Sequence, residues 1–171
     1  MKTFLLMRHA KSSWKTSEPD FDRPLKGRGK RDAPRMGRLL LDTFGTPDLI
    51  LSSSAVRARE TADLVAYACE YSGPVLLRDD LYGADAEDWL RVLRQVDGDL
   101  GTVLAVGHNP AVDDLWLRLT GQGVHLTTAA LAAARLHLDA WRDIGAVAPA
   151  EIVGVWRPRD LSDDGEDGGR T

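Results

Sequence analysis

The chain has 171 residues, of which 43% are hydrophobic, with one cysteine and a formal net charge of −4. This length suits one domain with its own core, and the hydrophobic content excludes a wholly disordered chain. No apolar run approaches the roughly 20 residues of a membrane-spanning helix, no secretory cleavage pattern follows Lys2, and the lone Cys69 excludes an internal disulfide; a cytoplasmic protein without membrane contact is expected.

In chain order, the apolar run TFLLM predicts a strand over 3–7 that ends at once in Arg8 and His9. A helix is predicted over 25–44, with Pro34 either near its first turn or kinking it. A second strand over 49–52 leads through SSSAVRARETA into a helix over 55–71, which places Arg57 in the first turn and Cys69 on the apolar stripe, as a buried thiol. A short strand over 75–77 precedes the acidic segment LLRDDLYGADAED and a helix over 86–96. The strand over 102–106 runs into VGHNP, with His108 just before a helix over 110–119 and Pro110 at its first position. Strands over 133–138 and 152–156 complete the series. Strands and helices that alternate in this way predict an α/β protein, a three-layer α/β/α sandwich with a mostly parallel central sheet. One domain is expected over 1–158. The stretch 159–171, in which residues 161–171 are Gly-rich and set Asp163, Asp164, Glu166 and Asp167 against Arg170, is expected to be a disordered acidic tail.

Ligands bind such sheets at the carboxyl ends of the strands. Three of those ends carry Arg8 with His9, Arg57, and His108. A phosphate dianion matches this set. Arginine offers paired, permanently charged donors, Arg57 adds a helix N-terminus, and a doubly protonated His108 would donate a further hydrogen bond. A neutral imidazole is a nucleophile toward phosphorus, and a neighbouring cation lowers its pKa. Arg8 is therefore expected to hold a phosphoryl group that His9 attacks. The basic series from Lys11 to Arg38 is either a rim that steers an acidic partner or a solvated helix face. It lacks an aromatic stacking series, so nucleic acid is not expected as a partner.

The blocks MRHAKS, SSSAVRARETA and VGHNP, supported by DRPLKGRG, DLYGADAEDWL and LTTAALAAARLHLD, resemble the histidine phosphatase (phosphoglycerate mutase-like) superfamily. Within it, the short chain resembles the SixA-type phosphohistidine phosphatases. The resemblance covers about residues 2–157 and implies the phosphoglycerate mutase-like fold. It also implies that His9 accepts the phosphoryl group, that Arg8, Arg57 and His108 complete the phosphate pocket, and that Arg23 contacts substrate. The family's Arg-His-Gly is Arg-His-Ala here, so a positive φ at Ala10 would be strained. Ser54 stands where many members have proline, which is expected to loosen the loop before Arg57. Larger members draw a general acid from the segment after the third strand. Asp79 and Asp80 are the candidates here, with Asp85, Glu87 and Asp88 nearby; solvated loop acids and helix N-terminal charges are the other reading of this segment.

The remaining motifs are read as structural. Gly27 and Gly29 lack the strand and third glycine of a dinucleotide loop. Ser52, Ser53 and Ser54 lack the elbow glycines of a serine hydrolase, though Ser53 could donate to phosphate. His125 and His137 lie outside the three blocks, and no cluster has metal-ligand spacing, so no metal and no organic cofactor are expected. The expected activity is hydrolysis of phosphohistidine on a protein, such as a histidine phosphotransfer protein in signal transduction. The alternatives are the same chemistry on a small phosphate ester, and a non-catalytic reader of a phosphorylated ligand.

Overall fold

The structure, a computed structural model, describes residues 1–146 and 149–161. Beyond residue 161 the expected tail lies outside the described residues. Six strands form one sheet: β1 (Lys2–Arg8), β2 (Leu49–Ser53), β3 (Leu76–Arg78), β4 (Thr102–Gly107), β5 (Leu131–Leu136) and β6 (Glu151–Trp156). Among the described residues four helices join them: α1 (Gly27–Phe44), α2 (Val56–Ala68), α3 (Ala86–Leu93) and α4 (Ala111–Thr120).

The strand order is β3-β2-β4-β1-β5-β6. β4 pairs in parallel with β1 and β2, and β2 with β3, whereas β5 runs antiparallel to both β1 and β6. The strands that carry the candidate residues, β2, β4 and β1, are therefore immediate neighbours with their carboxyl ends on one edge.

The sheet is covered on both faces, which makes three layers. Successive residues of a strand point to opposite faces. Phe4 and Leu6 enter the core shared with α3 and α4, while Leu5 and Met7 enter the core shared with α1 and α2. Burying each of these side chains contributes about 1.5–3 kcal/mol. This two-sided burial is why β1 reads as an unbroken apolar run. Trp89, Trp116 and Trp141 fill the α3/α4 layer, whereas Trp14 is exposed.

Two glycines set close approaches. A Cβ on Gly29 would stand 2.2 Å from the Lys11 carbonyl oxygen, and one on Gly37 would stand 2.7 Å from the Ala68 Cβ. Gly29 thus lets the first turn of α1 lie against the backbone just after β1, and Gly37 lets α1 pack against α2. Pro34 sits inside α1, past its first turn, and the helix continues through it. Pro110 precedes α4 as its N-cap instead of occupying its first position.

Candidate active site

β1 delivers His9 at the sheet edge. The His9 backbone N–H donates to the Gly107 carbonyl at the end of β4 (2.9 Å), and its carbonyl accepts from Ala129 N–H (3.1 Å). The His9 ring, 7% exposed, places Nδ1 2.7 Å from the Ala10 carbonyl oxygen. A carbonyl can only accept, so Nδ1 carries the proton and Nε2 keeps its lone pair. The His9 pKa is lowered to about 3, mainly by burial and further by His108, Arg57 and Arg8. The ring is thus neutral at physiological pH, as the sequence implies, but burial outweighs the adjacent cation as the cause.

Ala10 follows without a positive φ, so the alanine that replaces the family glycine is unstrained. Its N–H donates to Thr61 Oγ1 (2.9 Å), and Thr61 donates in turn to the Arg57 carbonyl (2.7 Å). One buried hydroxyl therefore ties the exit of β1 to the first turn of α2. Sequence reasoning missed Thr61, because a threonine inside a helical stripe gives no signal of its own.

β4 delivers His108, whose ring centroid lies 5.2 Å from that of His9. His108 Nε2 is 2.8 Å from Ser53 Oγ, and Ser53 is fully buried. Ser53 thus orients the imidazole. Burial, followed by Arg57, lowers the His108 pKa to about 4. With no anion beside it the ring is held neutral; the doubly protonated form expected to donate to phosphate would need the charge of that phosphate.

Arg57, 6% exposed, reaches the site from the first turn of α2. It donates through Nη1 to the Asp20 carbonyl (2.7 Å) and through Nη2 to Asp20 Oδ2 (3.2 Å). Arg8 donates to the Leu126 carbonyl (3.1 Å), which also accepts from Asn109 Nδ2 (3.0 Å). Arg8 Nε, Arg57 Nε and His108 Nδ1 are buried without a partner among the described residues. An unpaired buried donor costs about 1–3 kcal/mol. The three residues all act electrostatically on the His9 ring, and the two guanidiniums among them give the cluster a positive charge that suits an anion.

Arg23 is buried, with its guanidinium 3.5 Å from the centroid of the Trp14 ring. It donates to Asp20 Oδ1 (2.9 Å), Ser12 Oγ (3.0 Å) and the Ser13 carbonyl (3.2 Å). Asp20 is a site residue the sequence did not reveal. Its carboxylate also accepts from the Tyr82 hydroxyl (2.6 Å), and the Tyr82 ring stands edge-on to His108. Asp20 reads as turn chemistry before DRPL, and Tyr82 lies 62 residues further on, so only the fold brings them together.

The acidic segment divides. Asp80 is paired with Arg78 at 2.7 Å, which lowers its pKa. Asp85 and Asp88 form the capping box of α3, and Glu87 pairs with Arg94 and Arg118. Asp79 accepts from Ser54 Oγ. The Ser54 N–H donates to the Arg78 carbonyl (3.2 Å), a bond no proline could make, so serine ties this loop to β3 where loosening was expected. Arg28 and Arg35 both approach Asp32 within α1, so part of the basic series is internal pairing. Among the described residues no group of three or more His, Cys, Asp or Glu is placed to hold a metal ion, and no helix is long and apolar enough to cross a membrane.

The model of the histidine phosphatase superfamily (branch 1) matches residues 4–99. An uncharacterized protein of Mycobacterium leprae is 30% identical over 162 residues, covering 91% of this chain and 92% of its own. Among solved structures, a candidate phosphohistidine phosphatase SixA from Nakamurella multipartitia superposes with a TM-score of 0.80 at 30% identity, covering 92% of this chain and 96% of that one. The protein histidine phosphatase SixA solved with tungstate superposes at 0.81 and 21% identity, covering 94% and 99%, and shares the fold. With the strand that carries His9 inside the matched region, the chain belongs to the histidine phosphatase superfamily and is a phosphatase of that superfamily.

Proposed function

We propose that the protein hydrolyses phosphohistidine on a phosphorylated protein, through a covalent phosphohistidine on its own His9. The observation that carries this reading is the His9 ring. Its Nδ1–H is held by the Ala10 carbonyl, the ring is neutral, and Nε2 is left with a lone pair beside three other groups of the phosphate pocket.

Nε2 attacks phosphorus, the P–N bond to the substrate's imidazole breaks, and its electron pair stays on the departing nitrogen. Water then attacks the phosphoryl group, the P–Nε2 bond breaks, and inorganic phosphate leaves. Arg8 and Arg57 neutralise the oxygens of the transferring group, and His108 donates one N–H to them. These side chains supply the positive charge, so the reaction is assigned to a metal-independent enzyme. A bound dianion also raises the pKa of His108 from its depressed value. In the second step His108 can therefore gain and lose a proton.

A protein substrate is supported by the open site. Between α2 and β4 the chain makes only β3, a short 3-10 turn and α3. The side chains of Trp89, Leu90 and Leu93 on α3 are buried in the core, so this segment packs beside the sheet and is not spare length for a lid. The name of the Nakamurella relative points the same way. The second reading, a small ester with Asp79 as acid, is favoured by one contact: Asp79 binds Ser54, next to the Ser53 that orients His108.

Phosphate release in EDTA tests the proposal, with a histidine-phosphorylated protein set against a panel of small esters. Faster release from phosphohistidine, lost in His9→Ala, is expected. Faster release from one ester would favour the second reading, and binding without release would make the protein a reader.

A further inference from the structure

A site for a phosphate dianion that also holds a carboxylate needs an explanation. Asp20 lies in a 3-10 turn (Asp20–Asp22) before α1, and its carboxylate is 46% exposed. Oδ2 accepts from Tyr82 and from Arg57 Nη2, which uses both of its lone pairs. Among the described residues Oδ1 accepts from Arg23 Nε alone, which leaves one acceptor position on a carboxylate that is nearly half exposed. The hydrogen bond from Tyr82, followed by Arg23 and Arg57, holds the Asp20 pKa at about 2. Asp20 therefore has no proton to give an alkoxide, and its charge repels one. Its charge offsets part of that of Arg57 and Arg23, and a positive charge on the rest of the substrate would pair with it.

An N-phosphorylated imidazole supplies that charge. If its distal nitrogen carries a proton, the P–N bond breaks to give neutral imidazole. If that proton is absent, the leaving group is an imidazolate anion. We propose that Asp20 is a specificity-determining residue: its free Oδ1 position accepts the distal N–H of the leaving imidazole, holds that proton in place, and so favours cleavage of P–N bonds over P–O bonds. The assignment rests on the phosphohistidine reading of the same site and names what in the site selects that substrate. The charged and titratable groups around Asp20 are Arg23 on its own segment, Arg57 on α2, Tyr82 after β3 and His108 after β4.

The test compares phosphoimidazole with para-nitrophenyl phosphate as substrates of the wild-type protein and of Asp20→Asn. Each comparison is a ratio of two rates on one preparation, so partial misfolding cancels. In Asp20→Asn the ratio of kcat/KM for phosphoimidazole to that for the ester should fall by about tenfold or more, the size of one charge-assisted hydrogen bond. The alkaline limb of the phosphoimidazole profile should move down by about one pH unit. A merely structural hold on Arg57 and Arg23 predicts an equal loss on both substrates with the limb unmoved, and that result would overturn the proposal. A wild-type protein that cleaves the ester but not phosphoimidazole would overturn the phosphohistidine reading itself, and it would show before any variant is made.

Discussion

Thr61→Val tests how the fold positions His9, the proposed nucleophile. Valine keeps the branched shape and replaces the hydroxyl with a methyl group. Two contacts go: the acceptor for Ala10 N–H and the donor to the Arg57 carbonyl. The Arg57 carbonyl keeps its helical partner in the next turn. The Ala10 N–H does not recover, because Ala10 and Thr61 are both fully buried and no water reaches it. Leaving that donor unpaired costs about 1–3 kcal/mol. For a chain of this size each kcal/mol moves Tm by about 2–4 °C, so a drop of about 2–12 °C is expected in calorimetry. Ala10 also carries the carbonyl that fixes the His9 tautomer. Loosening it should lower kcat/KM by about tenfold, since small misplacements of reacting groups are costly. Thr61→Ser keeps the hydroxyl and should recover most of both losses. Wild-type Tm and kcat/KM in Thr61→Val, or equal damage in Thr61→Ser, would refute the reasoning.

Gly29→Ala places a Cβ 2.2 Å from the Lys11 carbonyl oxygen, so the backbone after β1 must move; a loss of about 3 kcal/mol or more is expected from urea unfolding, and a loss under about 1 kcal/mol would contradict the close approach. His9 and His108 have folded-state pKa values of about 3 and about 4, below the ~6.5 of an unfolded chain. The unfolded chain therefore binds protons that the folded one refuses, so stability is full above about pH 6.5 and is lost as pH falls toward 4. Each histidine contributes at most about 1.4 kcal/mol per pH unit in that window. The urea midpoint should be lower at pH 5 than at pH 7, with a smaller difference in His108→Asn; equal midpoints would show that the rings are not buried neutral.

Much of this molecule is legible in its sequence, for a physical reason. The strands of the sheet centre are buried on both faces and so read as apolar runs, and the residue that ends each run marks the sheet edge. His9 and His108 stand just past two of these runs, and Arg57 lies in the first turn of the helix that follows a third. The order β2-β4-β1 is not written locally; it is fixed by which helices cover which face. β5 lies at Leu131–Leu136 instead of 133–138, because the alanines around it have no strong alternation and pairing with β1 sets the register, with Leu131 opposite Met7. Asp20 was hidden for a different reason. A short Asp-Phe-Asp stretch looks like any polar turn, and its role depends on Arg57 and Tyr82 reaching it from distant parts of the chain.

The most direct test of the central claim is to trap the phosphoenzyme. The protein is mixed with a 32P-labelled histidine-phosphorylated protein, quenched in alkali within milliseconds, and digested for mass analysis. An acid-labile phosphoryl group on His9, attached through Nε2 and absent from His9→Ala, is the expected result. Label on any other residue, or full turnover by His9→Ala, would contradict it.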